Sequence, residues 1–226
     1  MRTDVVAVIP AYQCAESIGV VVEGCRRHLA TVHVIDDGSR DSTAEAARAA
    51  GAKVTTRPQN QGKGVALAQG IELALAEEPA AVLLLDGDGQ HDPADIPAFL
   101  AAWDQGRAEL IVGSRMGESE KIPRVRYWTN HVGSLILSHM TGYELEDSQS
   151  GYRLLDARLL RSMHLRTRGY AIESEMLLKA AKLHARLVHV PIRTIYEGCP
   201  PSHFQPFMDT SRIVFASIRV QVFDEL

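Results

Sequence analysis

Several features that would assign a chain of this length are missing. The three cysteines, Cys14, Cys25 and Cys199, are odd in number and widely spread, and make no disulfide or zinc framework. Charge of one sign is missing too: 24 Lys and Arg against 28 Asp and Glu leave a formal −4, with no basic footprint for nucleic acid. No apolar run approaches the roughly 18–20 residues that cross a bilayer. Residues 1–9 read as a strand rather than a basic segment followed by an apolar one, so no signal peptide is expected. These absences point to the cytosol or the cytosolic face of a membrane. No repeat, low-complexity stretch or convincing linker divides the 226 residues, and a hydrophobic content of 46% is enough for a sizeable core. A single domain over 1–226 is expected.

Several motifs are absent as well. Neither the phosphate-loop spacing G-x-x-x-x-G-K-[ST] nor a G-x-G-x-x-G after the first strand occurs. No Ser-His-Asp or Cys-His arrangement can be read from spacing. Pro10-Ala11-Tyr12-Gln13-Cys14 is not the glycine-rich, basic loop that a nucleotidyltransferase would usually need there.

What is present centres on Ala81-Val82-Leu83-Leu84-Leu85-Asp86-Gly87-Asp88-Gly89-Gln90-His91-Asp92-Pro93. The apolar run predicts a fully buried strand. Asp86 and Asp88 then leave the sheet at its carboxyl end, where open α/β sheets bind ligands. Two carboxylates this close repel unless something positive lies between them. A divalent cation, Mg²⁺ or Mn²⁺, held by the carboxylates and substrate phosphates would resolve the conflict. The alternative is a polar turn after a strand. An EF-hand is excluded, because its sixth position is His91 and its twelfth Pro97.

In chain order, strands are predicted at 5–9, 32–35, 53–56, 81–85 and 109–113. Helices are predicted at 15–29, from Ser42 (an N-cap with Glu45 three residues on), at 62–78 and at 96–103. Five alternations predict a mostly parallel, doubly wound sheet whose strand ends share one edge. Tyr12, Asp37, Asp86 and Ser114-Arg115 fall at or just past such ends. Residues 116–126 read as a mobile loop, 127–140 as an amphipathic helix, and 144–153 as an irregular polar segment. Helices follow at 157–163 and 172–183, then a late strand over 187–196 whose Pro191 suggests an edge, and a last helix over 207–223.

Asp36 and Asp37 either accept hydrogen bonds from a base or ribose or cap a turn. Asn60-Gln61-Gly62-Lys63-Gly64 is placed to offer Lys63 and backbone N–H groups to phosphates at a helix start. Arg115, Arg124, Arg126 and Arg153 are candidates for a basic wall opposite the carboxylates. Asp147 is a candidate base or acceptor-orienting group, or else a turn anchor; Glu173 and Glu175 suit a helix start, and His203 is a weak candidate metal ligand.

Taken together, these stretches resemble a family 2 glycosyltransferase of the GT-A fold. Val8-Ile9-Pro10-Ala11-Tyr12 is similar to that family's opening strand, and Val34-Ile35-Asp36-Asp37-Gly38-Ser39 with Asp41 to its second turn. Asn60-Gln61-Gly62-Lys63-Gly64 resembles the third block, and Leu85-Asp86-Gly87-Asp88-Gly89-Gln90-His91 the D-x-D block. Gly113-Ser114-Arg115, Asp147 to Arg153, and Val190-Pro191-Ile192 with Ile195-Tyr196 resemble the dolichol-phosphate mannosyltransferase branch.

The resemblance implies a nucleotide-sugar site in residues 1–115, with Pro10, Tyr12, Asp36, Asp37, Lys63 and Asp86 near the donor. It implies a divalent cation on Asp86, Asp88 and Gln90, and an acceptor site in 116–226. There Arg115, Arg126 and Ser134 match positions that face an acceptor phosphate, with Arg153 added from the basic wall. The implied donor is GDP-mannose or a UDP-sugar and the implied acceptor polyprenyl phosphate, reacting by inverting displacement. Asp88, Arg115 and Asp147 are the expected catalytic residues, Asp147 serving as base if the acceptor is a hydroxyl. The helices at 127–140 and 207–223 are expected either at a membrane interface, as peripheral anchors, or packed on the sheet or on a second subunit as a homodimer.

Overall fold

The computed structural model describes residues 1–106, 108–121, 124–165, 171–193 and 195. One seven-stranded sheet runs through them: β1 (Arg2–Ala11), β2 (Leu29–Asp36), β3 (Lys53–Thr56), β4 (Ala81–Leu84), β5 (Leu110–Ser114), β6 (Arg153–Asp156) and β7 (Leu187–Pro191). Their order is β3-β2-β1-β4-β6-β5-β7, and every pairing is parallel except the two that β6 makes. The helices are α1 (Ala15–Arg26), α2 (Thr43–Ala49), α3 (Lys63–Leu75), α4 (Ile96–Asp104), α5 (Arg124–Thr141), α6 (Ala157–Ser162) and α7 (Ile172–Lys182).

Strand side chains alternate between two cores because successive residues point to opposite faces. Val5, Ala7, Ile9, Leu83, Leu85, Ile111 and Leu154 pack with α1, α2 and α4 on one face. Val6, Val8, Val82, Leu84, Leu110, Val112 and Leu155 pack with α3, α5, α6 and α7 on the other. Coverage on both sides explains why β4 reads as an unbroken apolar run.

The expected parallel sheet is present, with local corrections. The first helix ends at Arg26 rather than Leu29, because Leu29 opens β2 and pairs with Arg2. The Ser42 side chain does not cap α2; Asp41 Oδ1 instead accepts from the Thr43 N–H at 3.2 Å and from its hydroxyl. Residues Met116–Lys121, expected as loop, form 3₁₀ turns. The largest correction is β6, which inserts antiparallel between β4 and β5 where the sequence suggested no strand. Only Leu154 and Leu155 are apolar in it, too few to show a period. β7 is the sheet edge and ends on Pro191, whose missing N–H costs no ladder bond there.

The predicted helix over 127–140 is α5, and its amphipathicity is inverted. Asn130, Ser134 and Leu137 face inward, while Val125, Trp128, Val132 and Leu135 are 48–61% exposed. The predicted helix over 207–223, together with His203 and Tyr196, lies outside the described residues.

Candidate active site

Parallel pairing brings the carboxyl ends of β1, β2, β4 and β5 to one edge, and the candidate residues gather there. Pro10 is buried in β1 beside Ile35, and half-buried Tyr12 follows the strand. The turn after β4 is held by α1, since Ser17 Oγ donates to the Gly87 carbonyl at 2.7 Å. Gly87 is needed at this crossing, where a Cβ would lie 3.1 Å from Ile18 and 3.2 Å from Cys14 Sγ.

Asp36 and Asp37 both brace backbone. Asp36 Oδ1 accepts from the Ser39 N–H at 3.0 Å. Asp37 accepts from the Gln61 N–H at 3.1 Å and the Gly62 N–H at 2.7 Å, with Arg57 Nη1 3.5 Å away. Of the two readings left open for this pair, the Asp36 bond matches the capped turn, whereas Asp37 holds a loop 24 residues on. The same bonds occupy two N–H groups of the 60–64 loop that were expected to face phosphates.

Lys63 Nζ is 2.7 Å from Asp86 Oδ1 and 2.7 Å from Glu173 Oε1. His91 Nε2 stands 3.6 Å from Asp86 Oδ2. Burial alone would raise the Asp86 carboxyl, but the Lys63 charge and His91 outweigh it and hold it well below the ordinary range. Asp88 goes the other way. Burial raises its carboxyl and the charge of Asp86 raises it further, with only the Gln90 N–H, at 3.0 Å, as a near donor. No ion pair engages Asp88 among the described residues. Glu173 was read from sequence merely as a helix-start residue; its place beside Lys63 follows from α7 packing on the sheet, for which no local pattern exists.

Nearby, the 147–151 segment reaches Asp86 at Gly151, where a Cβ would lie 2.7 Å from Oδ2. Asp147 is fully buried and forks onto Arg115, with Nε to Oδ2 at 2.6 Å and Nη2 to Oδ1 at 2.8 Å. Asn130 Nδ2 donates to Oδ1 at 2.8 Å. Burial opposes ionisation of Asp147, yet Arg115 and Asn130 prevail and keep the carboxyl below its usual range. That corrects its candidacy as a base: its oxygens are engaged and its proton affinity is low. Buried Ser134 donates to Ser148 Oγ and accepts from the Ser148 N–H, both at 3.0 Å, so in this geometry it ties down the segment.

Arg153 is also corrected. It is no part of a basic wall, being 1% exposed and caged by the carbonyls of Ser148, Ser150 and Glu173 at 2.6–2.8 Å. Burial pulls its guanidinium down to about 10. Arg126 lies in the first turn of α5, but its side chain is outside the described set.

A metal is tested by this donor set. No group of three or more His, Cys, Asp or Glu side chains gathers as a metal site among the described residues. Two carboxylates do meet in a half-buried turn, and among the described residues no ion pair engages Asp88. That fits an ion such as Mg²⁺, which takes one or two carboxylates and fills its remaining positions with substrate phosphates and water.

A model of the glycosyl transferase family 2 matches residues 6–172. The chain belongs to that family. Undecaprenyl-phosphate mannosyltransferase of Micrococcus luteus is 31% identical over 201 residues, spanning 83% of this chain and 82% of that protein. UDP-N-acetylglucosamine–dolichyl-phosphate N-acetylglucosaminyltransferase of Methanococcus voltae is 32% identical over 213 residues, spanning 84% of each. Among solved structures, glucosyl-3-phosphoglycerate synthase from Mycobacterium tuberculosis, in complex with Mn²⁺, UDP and phosphoglyceric acid, matches with a TM-score of 0.75 at 22% identity. That match covers 100% of this chain and 80% of the other. It shows the fold, GT-A, and the family membership makes the protein a glycosyltransferase.

Proposed function

We propose that this glycosyltransferase moves a sugar from a nucleotide-sugar, GDP-mannose or a UDP-sugar, to polyprenyl phosphate, with Mg²⁺ or Mn²⁺ at the Asp86–Asp88 turn. The observation that carries the metal is Asp88, a half-buried carboxylate beside another and, among the described residues, in no ion pair. When bound, such an ion neutralises charge on the departing nucleoside diphosphate. In the transfer, an acceptor phosphate oxygen forms the new bond to the anomeric carbon as the bond to the diphosphate oxygen breaks. No proton needs removing from an ionised phosphate. The engaged, low-affinity carboxylate of Asp147 therefore suits a phosphate acceptor better than a hydroxyl, which would call for a base. Asp147 instead aims the Arg115 guanidinium, and Arg126 is the second cation of the acceptor side. The names of the polyprenyl-phosphate relatives support the same acceptor.

We read residues 1–226 as one catalytic unit at the cytosolic face of a membrane, where such an acceptor resides. Among the described residues no helix is long and apolar enough to cross a membrane. The outward stripe of Val125, Trp128, Val132 and Leu135, on a helix without a single Asp or Glu, suits an interfacial position. The joint substitution Trp128→Ser and Leu135→Ser is expected to abolish binding to vesicles; unchanged sedimentation with liposomes would remove the interface from this reading.

Calorimetric titration with GDP, UDP and their sugar conjugates, with and without Mn²⁺, tests the donor site, and transfer to a short polyprenyl phosphate tests the acceptor. Binding of one nucleotide is expected to require the metal. Asp88→Ala is expected to lower kcat/KM by about 10³-fold, the scale of a lost charge-stabilising group. Full activity of that variant would refute the metal role. Transfer to a hydroxyl acceptor alone would move the assignment to the same sugar transfer onto a soluble or glycan hydroxyl.

A further inference from the structure

Glu173 lies in the first turn of α7, in the half of the chain assigned to the acceptor, yet its carboxylate reaches the donor side. Its side chain is 5% exposed, and Oε2 has no hydrogen-bond partner among the described residues. A carboxylate so deep is costly unless paired, and the α7 dipole offsets only a fraction of that cost. Its placement is fixed from two directions. Arg153 Nη1 donates to the Glu173 carbonyl at 2.6 Å, and Lys63 Nζ sits 2.7 Å from Oε1. The same ammonium is 2.7 Å from Asp86, so Glu173 and Asp86 share one cation while Asp88 has none.

We infer that Glu173 is a positioning residue of the donor site that acts through Lys63. It shares the ammonium with Asp86, so that Lys63 does not neutralise the aspartate pair. Asp86, Asp88 and Glu173 outnumber Lys63, and the buried Arg153 guanidinium also faces Glu173 and Asp86, so it is the Glu173 charge that keeps the cluster negative enough to favour a cation. The inference rests on the metal reading of the Asp86–Asp88 turn proposed above.

The test is a pair of near-isosteric variants of the full chain with opposite expected signs. Free Mn²⁺ is followed by electron paramagnetic resonance, first without nucleotide and then with saturating UDP or GDP, and thermal melting reports on the fold. Glu173→Gln is expected to weaken Mn²⁺ binding by about three- to tenfold, the scale of one screened charge at this distance. Lys63→Met, which removes the competing cation, is expected to tighten binding without nucleotide by a similar factor. A merely structural role would weaken both. If both variants bind more weakly, or both bind like wild type, the inference is overturned and the metal reading stands. If wild type takes up no Mn²⁺ even with nucleoside diphosphate, the metal reading falls and the inference with it.

Discussion

The two halves of the sheet edge are held by different kinds of bond. On the side where we propose the donor binds, aspartates at strand ends brace backbone N–H groups: Asp36 holds Ser39, Asp37 holds Gln61 and Gly62, and Asp88 holds Gln90. Beyond β5, on the proposed acceptor side, the bonds run between charged side chains or from a buried cation to carbonyls. Arg115 forks onto Asp147, Arg153 gathers three carbonyls, and Glu175 meets Lys179 at 3.1 Å on α7, with the ammonium also donating to the His164 carbonyl. The Asp86–Asp88 turn is only half-buried and can be altered at modest cost, whereas a buried ion cannot lose its partners without leaving an uncompensated group. Substitutions on the acceptor side should therefore strike stability first, and those at the donor turn should strike binding.

The sharpest way to break this contrast is Arg153→Met. The change removes a buried cation and strands the Ser148, Ser150 and Glu173 carbonyls. A loss of about 3–5 kcal/mol is expected in urea unfolding, large against the roughly 5–15 kcal/mol that holds a domain together. A loss below about 1 kcal/mol would show that the acceptor side does not depend on its buried ions.

Asp147→Asn should cost less, about 2–3 kcal/mol, because Asn keeps the shape while presenting one donor to the Arg115 fork. It also carries a pH signature. The folded Asp147 carboxyl is held below its unfolded value, so its contribution is complete above about pH 4 and is lost as pH falls through the lowered folded value. Wild-type stability should thus decline on acidification below about pH 4, and the Asp147→Asn variant should decline less steeply in that window. Parallel curves would mean that Arg115 does not stabilise the ionised form.

The same contrast explains what could be read before any coordinates. The β1 to β5 alternation, the buried β4 and the shared edge all follow from short apolar runs alternating with segments of helical spacing. So does the convergence of Tyr12, Asp37, Asp86 and Arg115, because parallel strands separated by helices bring their carboxyl ends together. What stayed hidden depends on contacts distant in sequence. The four residues of β6 have no readable period and exist because both neighbouring strands offer them a ladder. Arg153 looks like any loop arginine until its strand carries it inside, and Glu173 cannot be joined to Lys63 by spacing. The bonding of Asp147 likewise turns on a partner 32 residues away, which spacing does not show.

The smallest expected effect on stability falls where the two halves touch. Gly151, in the acceptor-side segment, passes so close to the donor turn that a Cβ would lie 2.7 Å from Asp86 Oδ2 and 3.0 Å from Lys63 Nζ. Both atoms end side chains that can shift, so Gly151→Ala should lower stability by only about 1 kcal/mol, near the low end for overpacking. The shift would nevertheless disturb the Asp86–Lys63 pair beside Asp88. Metal-dependent nucleotide binding, measured by titration calorimetry, should weaken about tenfold, equivalent to about 1.4 kcal/mol. Weaker binding in a protein that melts nearly as wild type would confirm that the donor turn is tuned by contact with the other half. Unchanged binding would mean that the carboxylate relaxes without consequence, and that the two regions meet there only sterically.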